Sequence, residues 1–171
     1  VFEKKEEGIA YRLYIEENGQ KRLPHQSQIE LLNNTYTWIT LNQKVVRIAH
    51  IKASHLKPFL NKEETFIPER NLQEYFDKFL QKILRNAQVE AIDFEIIEKT
   101  NLKNTEIELI NDFFANQYKI VLHFDYEGYT FKSNQNKNVH SQLKIDENNH
   151  ITIYKYKRNT EEEAQMKQLL T

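Results

Sequence analysis

Two stretches combine cations with aromatic rings in a way that could do chemistry. Lys52, Lys57 and Lys62 flank His55 and Phe59, and Lys155, Lys157 and Arg158 close the run Ile151-Thr-Ile-Tyr-Lys-Tyr-Lys-Arg158. Cations neutralise phosphates and aromatic faces stack on bases, so these are the residue types that hold single-stranded nucleic acid. The spacing sets a condition on that use. In a strand, Tyr154 and Tyr156 share one face while Lys155 and Lys157 lie on the other. Binding needs both kinds on one accessible surface, and strict alternation separates them. The competing reading is an edge strand with core tyrosines and protective lysines.

Other constellations are weaker. His50 and His55 are five residues apart across a stretch expected to bend, and His123 and Asp125 share a strand face. Each pair offers two metal ligands, and no spacing supplies a third. The carboxylate pairs Asp93 with Glu95, Asp125 with Glu127, and Asp146 with Glu147 need a pocket to shift a pKa, and nothing in the sequence builds one. Gly-x-Ser-x-Gly, a glycine-rich phosphate loop with lysine, and His-Glu-x-x-His are all missing. The chain has no cysteine, which excludes thiol catalysis, thiolate metal sites and disulfides. With 3 glycines it is poorly equipped for a nucleotide-binding fold. The reading therefore contains no catalytic residue, no metal ligand set and no cofactor.

The bulk properties are neutral. The 171 residues fit one domain, and 10 Phe and 9 Tyr offset a hydrophobic share of 39% by burying large areas each. A net charge of −1 exerts no general pull on nucleic acid or acidic membranes, so a basic patch has to be local. No apolar run reaches membrane-spanning length and no signal-peptide pattern opens the chain. A start at Val1 and an abrupt end at Thr171 are expected of a domain excised from a longer chain.

The elements that must position these residues read as follows. Lys52–Lys62 leads through Pro58 and Pro68 into Asn71–Leu84, whose apolar residues Leu72, Tyr75, Phe76, Phe79, Leu80, Ile83 and Leu84 fall on one helical face. Asn71 is placed to cap that helix, with Glu74 completing a capping box. Ahead of it, alternation from Ile9 to Glu16, the Asn18-Gly19 turn, and strands at Thr35–Leu41 and Lys44–Ile51 predict an antiparallel meander with Trp38 in the core. Beyond it, Val89–Ile97 reads as a strand, Glu106–Phe114 fits neither helix nor strand period cleanly, and Tyr118–Tyr126 is a clear strand. Hairpins around Glu127-Gly128 and Glu147–Asn149 follow, then a helix capped by Thr160 with Glu161, Glu162 and Glu163 in its first turn. The expected fold class is α+β over residues 1–171 as a single domain. Antiparallel β hairpins pack on one long amphipathic helix, with a short helix at the C-terminal end.

The central stretch carries a resemblance. Leu56-Lys-Pro-Phe-Leu-Asn-Lys62, Thr65-Phe-Ile-Pro68 and Tyr75-Phe-Asp-Lys-Phe79 resemble the region ahead of the motor in bacterial Swi/Snf-type helicase-related ATPases. Tyr11-Arg-Leu, Thr37-Trp38, Ala91-Ile-Asp-Phe94 and Leu122-His-Phe-Asp-Tyr126 extend the likeness over roughly residues 11–158. None of these motifs is a catalytic signature, and the chain has no Walker A loop, no Asp-Glu-x-x box and no arginine-finger motif. The resemblance implies a non-catalytic, cytoplasmic accessory domain whose parent turns over ATP elsewhere. Its expected partners are DNA or RNA and the motor domains of its own parent chain, with no membrane. The candidate nucleic-acid contacts are Lys155, Lys157, Arg158, Lys52, Lys57 and Lys62. The alternative is a freestanding protein-interaction domain that binds no nucleic acid.

Overall fold

The structure is a computed structural model and describes residues 1–32, 38–48, 51–86 and 88–169. It divides into two compact units, Val1–Glu95 with Ile145–Ile151, and Ile96–Lys144 with Thr152–Thr171. The first unit holds β1 (Phe2–Lys5), β2 (Gly8–Tyr11), β3 (Ile15–Glu17), β4 (Gln20–Arg22), β5 (Ile29–Leu31), β6 (Trp38–Leu41) and β7 (Lys44–Arg47). It continues with α1 (Ala53–Leu56), β8 (Thr65–Pro68), α2 (Glu69–Tyr75), α3 (Gln81–Asn86) and β9 (Ala91–Ile92).

Among the described residues its strands form three small sheets, ordered β8-β2-β1-β9, β3-β4 and β5-β6-β7. The turns are set by residues that tolerate positive φ: Asn18 and Gly19 at 52° and 78°, and Asn42 and Gln43 at 50° and 64°. Tyr11 sits at the centre of the aromatic packing. Its ring stacks on Phe2 at 5.1 Å, meets Phe59 edge-on at 5.1 Å and lies 5.7 Å from Tyr75. Burial pushes the Tyr11 hydroxyl pKa up. Ile9, Leu72, Phe76 and Leu80 are buried in the same unit. Ile39, Leu41 and Leu56 form a further cluster.

The second unit holds β10 (Glu95–Lys99), β11 (Asn104–Asp112), β12 (Gln117–Asp125), β13 (Thr130–Lys132), β14 (Val139–Ile145), β15 (Ile151–Lys157) and α4 (Thr160–Gln168), except that the end residues Glu95, Ile145 and Ile151 belong to the first. Its sheets are ordered β10-β15-β14 and β11-β12-β13. Leu122, Phe124, Tyr126, Phe131 and Tyr156 make its core. Gly128 turns the chain at φ 129°, where a Cβ would come within 2.6 Å of the Tyr156 hydroxyl.

The expected α+β class, with hairpins packed on one long amphipathic helix, is overturned. Strand takes up 45% and helix 22%, and among the described residues the strands are spread over five small sheets. The predicted long helix is three short pieces, because Phe76–Leu80 between α2 and α3 is a π-helical turn. A π turn bonds i to i+5 and so breaks the continuous 3.6-residue register that the apolar spacing implied. The buried side chains survive this break, since Leu72, Phe76, Leu80, Ile83 and Leu84 all stay buried. The start also differs. Pro68 is extended (φ −59°, ψ 147°) and α2 begins at Glu69, two residues before the predicted Asn71 cap.

Smaller departures have local causes. The Ile9–Glu16 strand is split between β2 and β3, and Val89–Ile97 is interrupted at Asp93, whose φ is 61°. Trp38, expected in the core, is 47% exposed. Asn159 rather than Thr160 caps α4, accepting the Glu162 N–H at 3.3 Å. Residues 35–37 of the predicted Thr35–Leu41 strand, including Thr37 of the Thr37-Trp38 motif, lie outside the described residues, as do His50 and the helix-end residue Leu170. No helix among the described residues is long and apolar enough to cross a membrane.

The closest backbone approach in the first unit generates a test. A Cβ on Gly8 would lie 2.1 Å from the Ile67 carbonyl oxygen across the β2–β8 ladder. Gly8→Ala is expected to destabilise the chain by about 1–3 kcal/mol, read as a lowered urea midpoint at unchanged m-value.

Candidate interaction surface

The six predicted nucleic-acid contacts are placed very differently from one another. Arg158 is a structural residue. Its side chain is 6% exposed, and it grips Glu163, itself 3% exposed, through Nε and Nη2 at 2.5–2.9 Å. Its Nη1 donates to the Gln135 carbonyl at 3.0 Å, and its guanidinium lies 5.6 Å from the Phe124 and Phe131 ring centres. Tyr126 donates its hydroxyl proton to Glu163 Oε1 at 2.8 Å and accepts the Asn159 N–H at 2.8 Å. Burial raises the Tyr126 pKa, and the bond to Glu163 adds to that. A guanidinium committed to this network has no fork left for a phosphate.

Lys155 lies 3.8 Å from Glu98 and is mostly covered. Lys157 is exposed, as are Lys52, Lys57 and Lys62 in the first unit. The predicted β15 site loses one of its two rings, because Tyr156 is buried in the core. Tyr154 is half-buried, with Lys144 5.0 Å from its ring centre. The structure thus assembles neither the trio Lys155, Lys157, Arg158 nor its stacking partners into one surface.

His55 and His123 are engaged in local contacts. His55 accepts the Lys52 N–H at 3.2 Å and meets Phe79 edge-on. Burial lowers its pKa, helped by the positive charges of Lys52 and Lys82. His123 Nε2 lies 2.6 Å from Glu108 Oε2, with Lys132 3.6 Å from the same oxygen. Its sequence neighbour Asp125 instead accepts the Glu127 N–H at 3.2 Å. Among the described residues no group of three or more His, Asp or Glu gathers as a metal site.

The first unit contains a cleft of about 610 Å³ lined in part by Leu13, Ile15, Ile39 and Leu41. Two of the cations lining it, Arg12 and Lys21, have carboxylate partners. Arg12 lies 3.0–3.6 Å from Glu3, Glu63 and Glu64, and Lys21 is paired with Glu90.

The feature that sequence reasoning missed is the β11–β12 hairpin. The two strands pair antiparallel over nine residues each, from Asn104↔Asp125 to Asp112↔Gln117. β13 covers β12 only at residues 123–125, so the outer part of the hairpin stands as a two-stranded arm. Directly opposed residues share a face. One face carries Ile107 with Leu122, Leu109 with Ile120, and Asn111 with Tyr118; the other carries Glu108 with Val121 and Ile110 with Lys119. Leu122 and Phe124 at the base are core, whereas Ile107, Leu109, Ile120 and Tyr118 further out are 54–70% exposed.

Phe113 and Phe114 at the tip are 84% and 105% exposed. The tip is held in shape by Asp112, which accepts the Ala115 N–H at 3.2 Å and the Lys119 ammonium at 2.5 Å. These bonds hold the Asp112 carboxyl below the usual aspartate range, Lys119 being the larger cause. A signal was present in the sequence. Ile107 and Leu109 alternate with Glu106 and Glu108, and Asp112 and Asn116 bracket the turn. What the sequence could not say is that this alternation continues past the end of the core.

No family model, no curated protein and no solved structure matches this chain.

Two measurements check this geometry. Glu163→Gln is expected to cost about 3–5 kcal/mol in chemical denaturation, because it leaves a buried guanidinium without its counter-charge. Adding Arg158→Met in the same chain is expected to recover most of that loss. Glu108 is held below its ordinary value of 4.5, chiefly by its bond to His123. Its stabilising contribution is therefore full above that value and lost as pH falls through the lowered one. A carboxyl NMR titration should show Glu108 ionising low and moving back up in His123→Ala.

Proposed function

We propose that this chain is a non-catalytic protein-interaction domain and that the β11–β12 arm is its contact element. The observation that carries this reading is the run of six large apolar side chains, each more than half exposed, on one arm: Ile107, Leu109, Phe113, Phe114, Tyr118 and Ile120. Folded monomers rarely leave a contiguous apolar patch of this size uncovered. The tip is clamped by Asp112, and such bonds reduce the conformational entropy that docking must remove. The resemblance to the region ahead of Swi/Snf-type motors fits the same role: an accessory module that positions a partner or regulates a motor, with ATP turnover and cofactors belonging to the motor and a cytoplasmic setting following from that family.

A second reading, contact with DNA or RNA, rests on Lys52, Lys57, Lys62 and Lys157. These are exposed and form no ion pair among the described residues. A titration against single- and double-stranded DNA and RNA at two salt concentrations separates the two. The expected result is no binding at low salt. Binding that weakens steeply with salt and is lost when Lys52, Lys57 and Lys62 become Ala would replace the first reading with the second.

A further inference from the structure

The arm's own chemistry narrows its partner. Its apolar face is built from Thr105, Ile107, Leu109 and Asn111 on β11, opposite Phe124, Leu122, Ile120 and Tyr118 on β12. No carboxylate or ammonium lies on that face. The charges sit behind it and largely satisfy one another, Asp112 with Lys119, and Glu108 with His123 and Lys132. Residues 104–125 carry four carboxylates against one lysine. An arm with that balance is repelled by anionic lipid and by phosphate backbones, which disfavours membrane insertion of the two phenylalanines and nucleic-acid contact alike.

An uncharged face is compatible with itself, because placing it against a copy brings no like charges together at the contact. Its size fits as well. From the exposures of its six large side chains, the arm leaves on the order of 800 Å² of mostly apolar surface in solvent, about what each side of a stable interface buries. We propose that the partner of the arm is a second copy of this chain, the two apolar faces packed across a two-fold axis at the Leu109–Ile120 pair. This inference rests on the protein-interaction reading above.

A two-fold axis there makes the contact isologous, with Leu109 facing its own equivalent. The tip of each arm, with Phe113 and Phe114, then lies toward the base of the other, where Ile107 and Leu122 begin the stripe. Two such sheets pack about 10 Å apart, which keeps the acidic outer faces distant from each other. The apolar stripe that starts in the core of one copy would continue into its neighbour.

Sedimentation equilibrium of the full 171-residue chain tests this. The expected result is a dimer at roughly 50 µM that persists or strengthens as salt rises, since screening relieves repulsion between the acidic outer faces. Leu109→Lys and Leu109→Glu should each be monomeric under the same conditions, with unchanged circular dichroism because the position is exposed. Mixing the two variants should restore the dimer, because the axis sets Lys against Glu.

A wild-type chain that stays monomeric overturns the self-pairing, as does a mixture that fails to reassociate. Either result leaves the protein-interaction reading to be judged by the nucleic-acid titration. A dimer unaffected by both Leu109 substitutions also overturns the proposal, by placing the interface elsewhere.

Discussion

The second unit depends on one buried ion pair. Arg158 and Glu163 lie five residues apart, across the junction between β15 and α4, and each is almost wholly removed from water. Two charges in that position are tolerable only if both are fully bonded. Here Glu163 takes the Arg158 fork and the Tyr126 hydroxyl, while Arg158 also reaches the Gln135 carbonyl. The pair therefore ties α4, the end of β12 and the loop before β14 to one point. Phe124 and Phe131 pack beneath the guanidinium and supply the apolar side of the same joint.

From that joint the β11–β12 arm extends. The base of β12 is anchored twice, since Leu122 donates its N–H to the Ser133 hydroxyl and Ser133 donates its own to the Leu122 carbonyl. Strand alternation then carries one apolar face outward without a break, from Phe124 and Leu122 to Ile120 and Tyr118. Burial changes along this face while its chemistry does not. Residues that form the core at one end become surface at the other, because β13 pairs with only three residues of β12. An isolated two-stranded ribbon is marginal in water. Its anchored base and the Asp112 clamp at its tip hold this one at both ends.

The first unit is held by different means. Its sheets are small, and the aromatic contacts of Tyr11 with Phe2, Phe59, Tyr75 and Phe79 link β1, β2 and the helical segment across them. The π turn at Phe76–Leu80 belongs to this packing, since both of its terminal residues are buried. The helical segment thus follows the demands of the aromatic cluster more closely than those of an ideal helix.

Much of the local structure was legible in the chain itself. Turn residues located the hairpins at Asn18-Gly19, Asn42-Gln43 and Glu127-Gly128, because positive φ is a local steric matter. The buried stripe Leu72, Phe76, Leu80, Ile83 and Leu84 followed from periodicity, whereas β2 is buried on both faces and β12 buries Val121, Leu122 and Phe124 but leaves Ile120 exposed. Tertiary structure alone decided the rest. Arg158 and Lys155 look alike as cations beside tyrosines, but one is locked into the interior by Glu163 and the other rests against Glu98. The apolar residues of Glu106–Phe114 fit neither period cleanly, and the short Ile107–Leu109 alternation within them says nothing of what covers it. Whether a second layer covers it depends on which strands lie alongside, and that is a property of long-range pairing that no local pattern encodes.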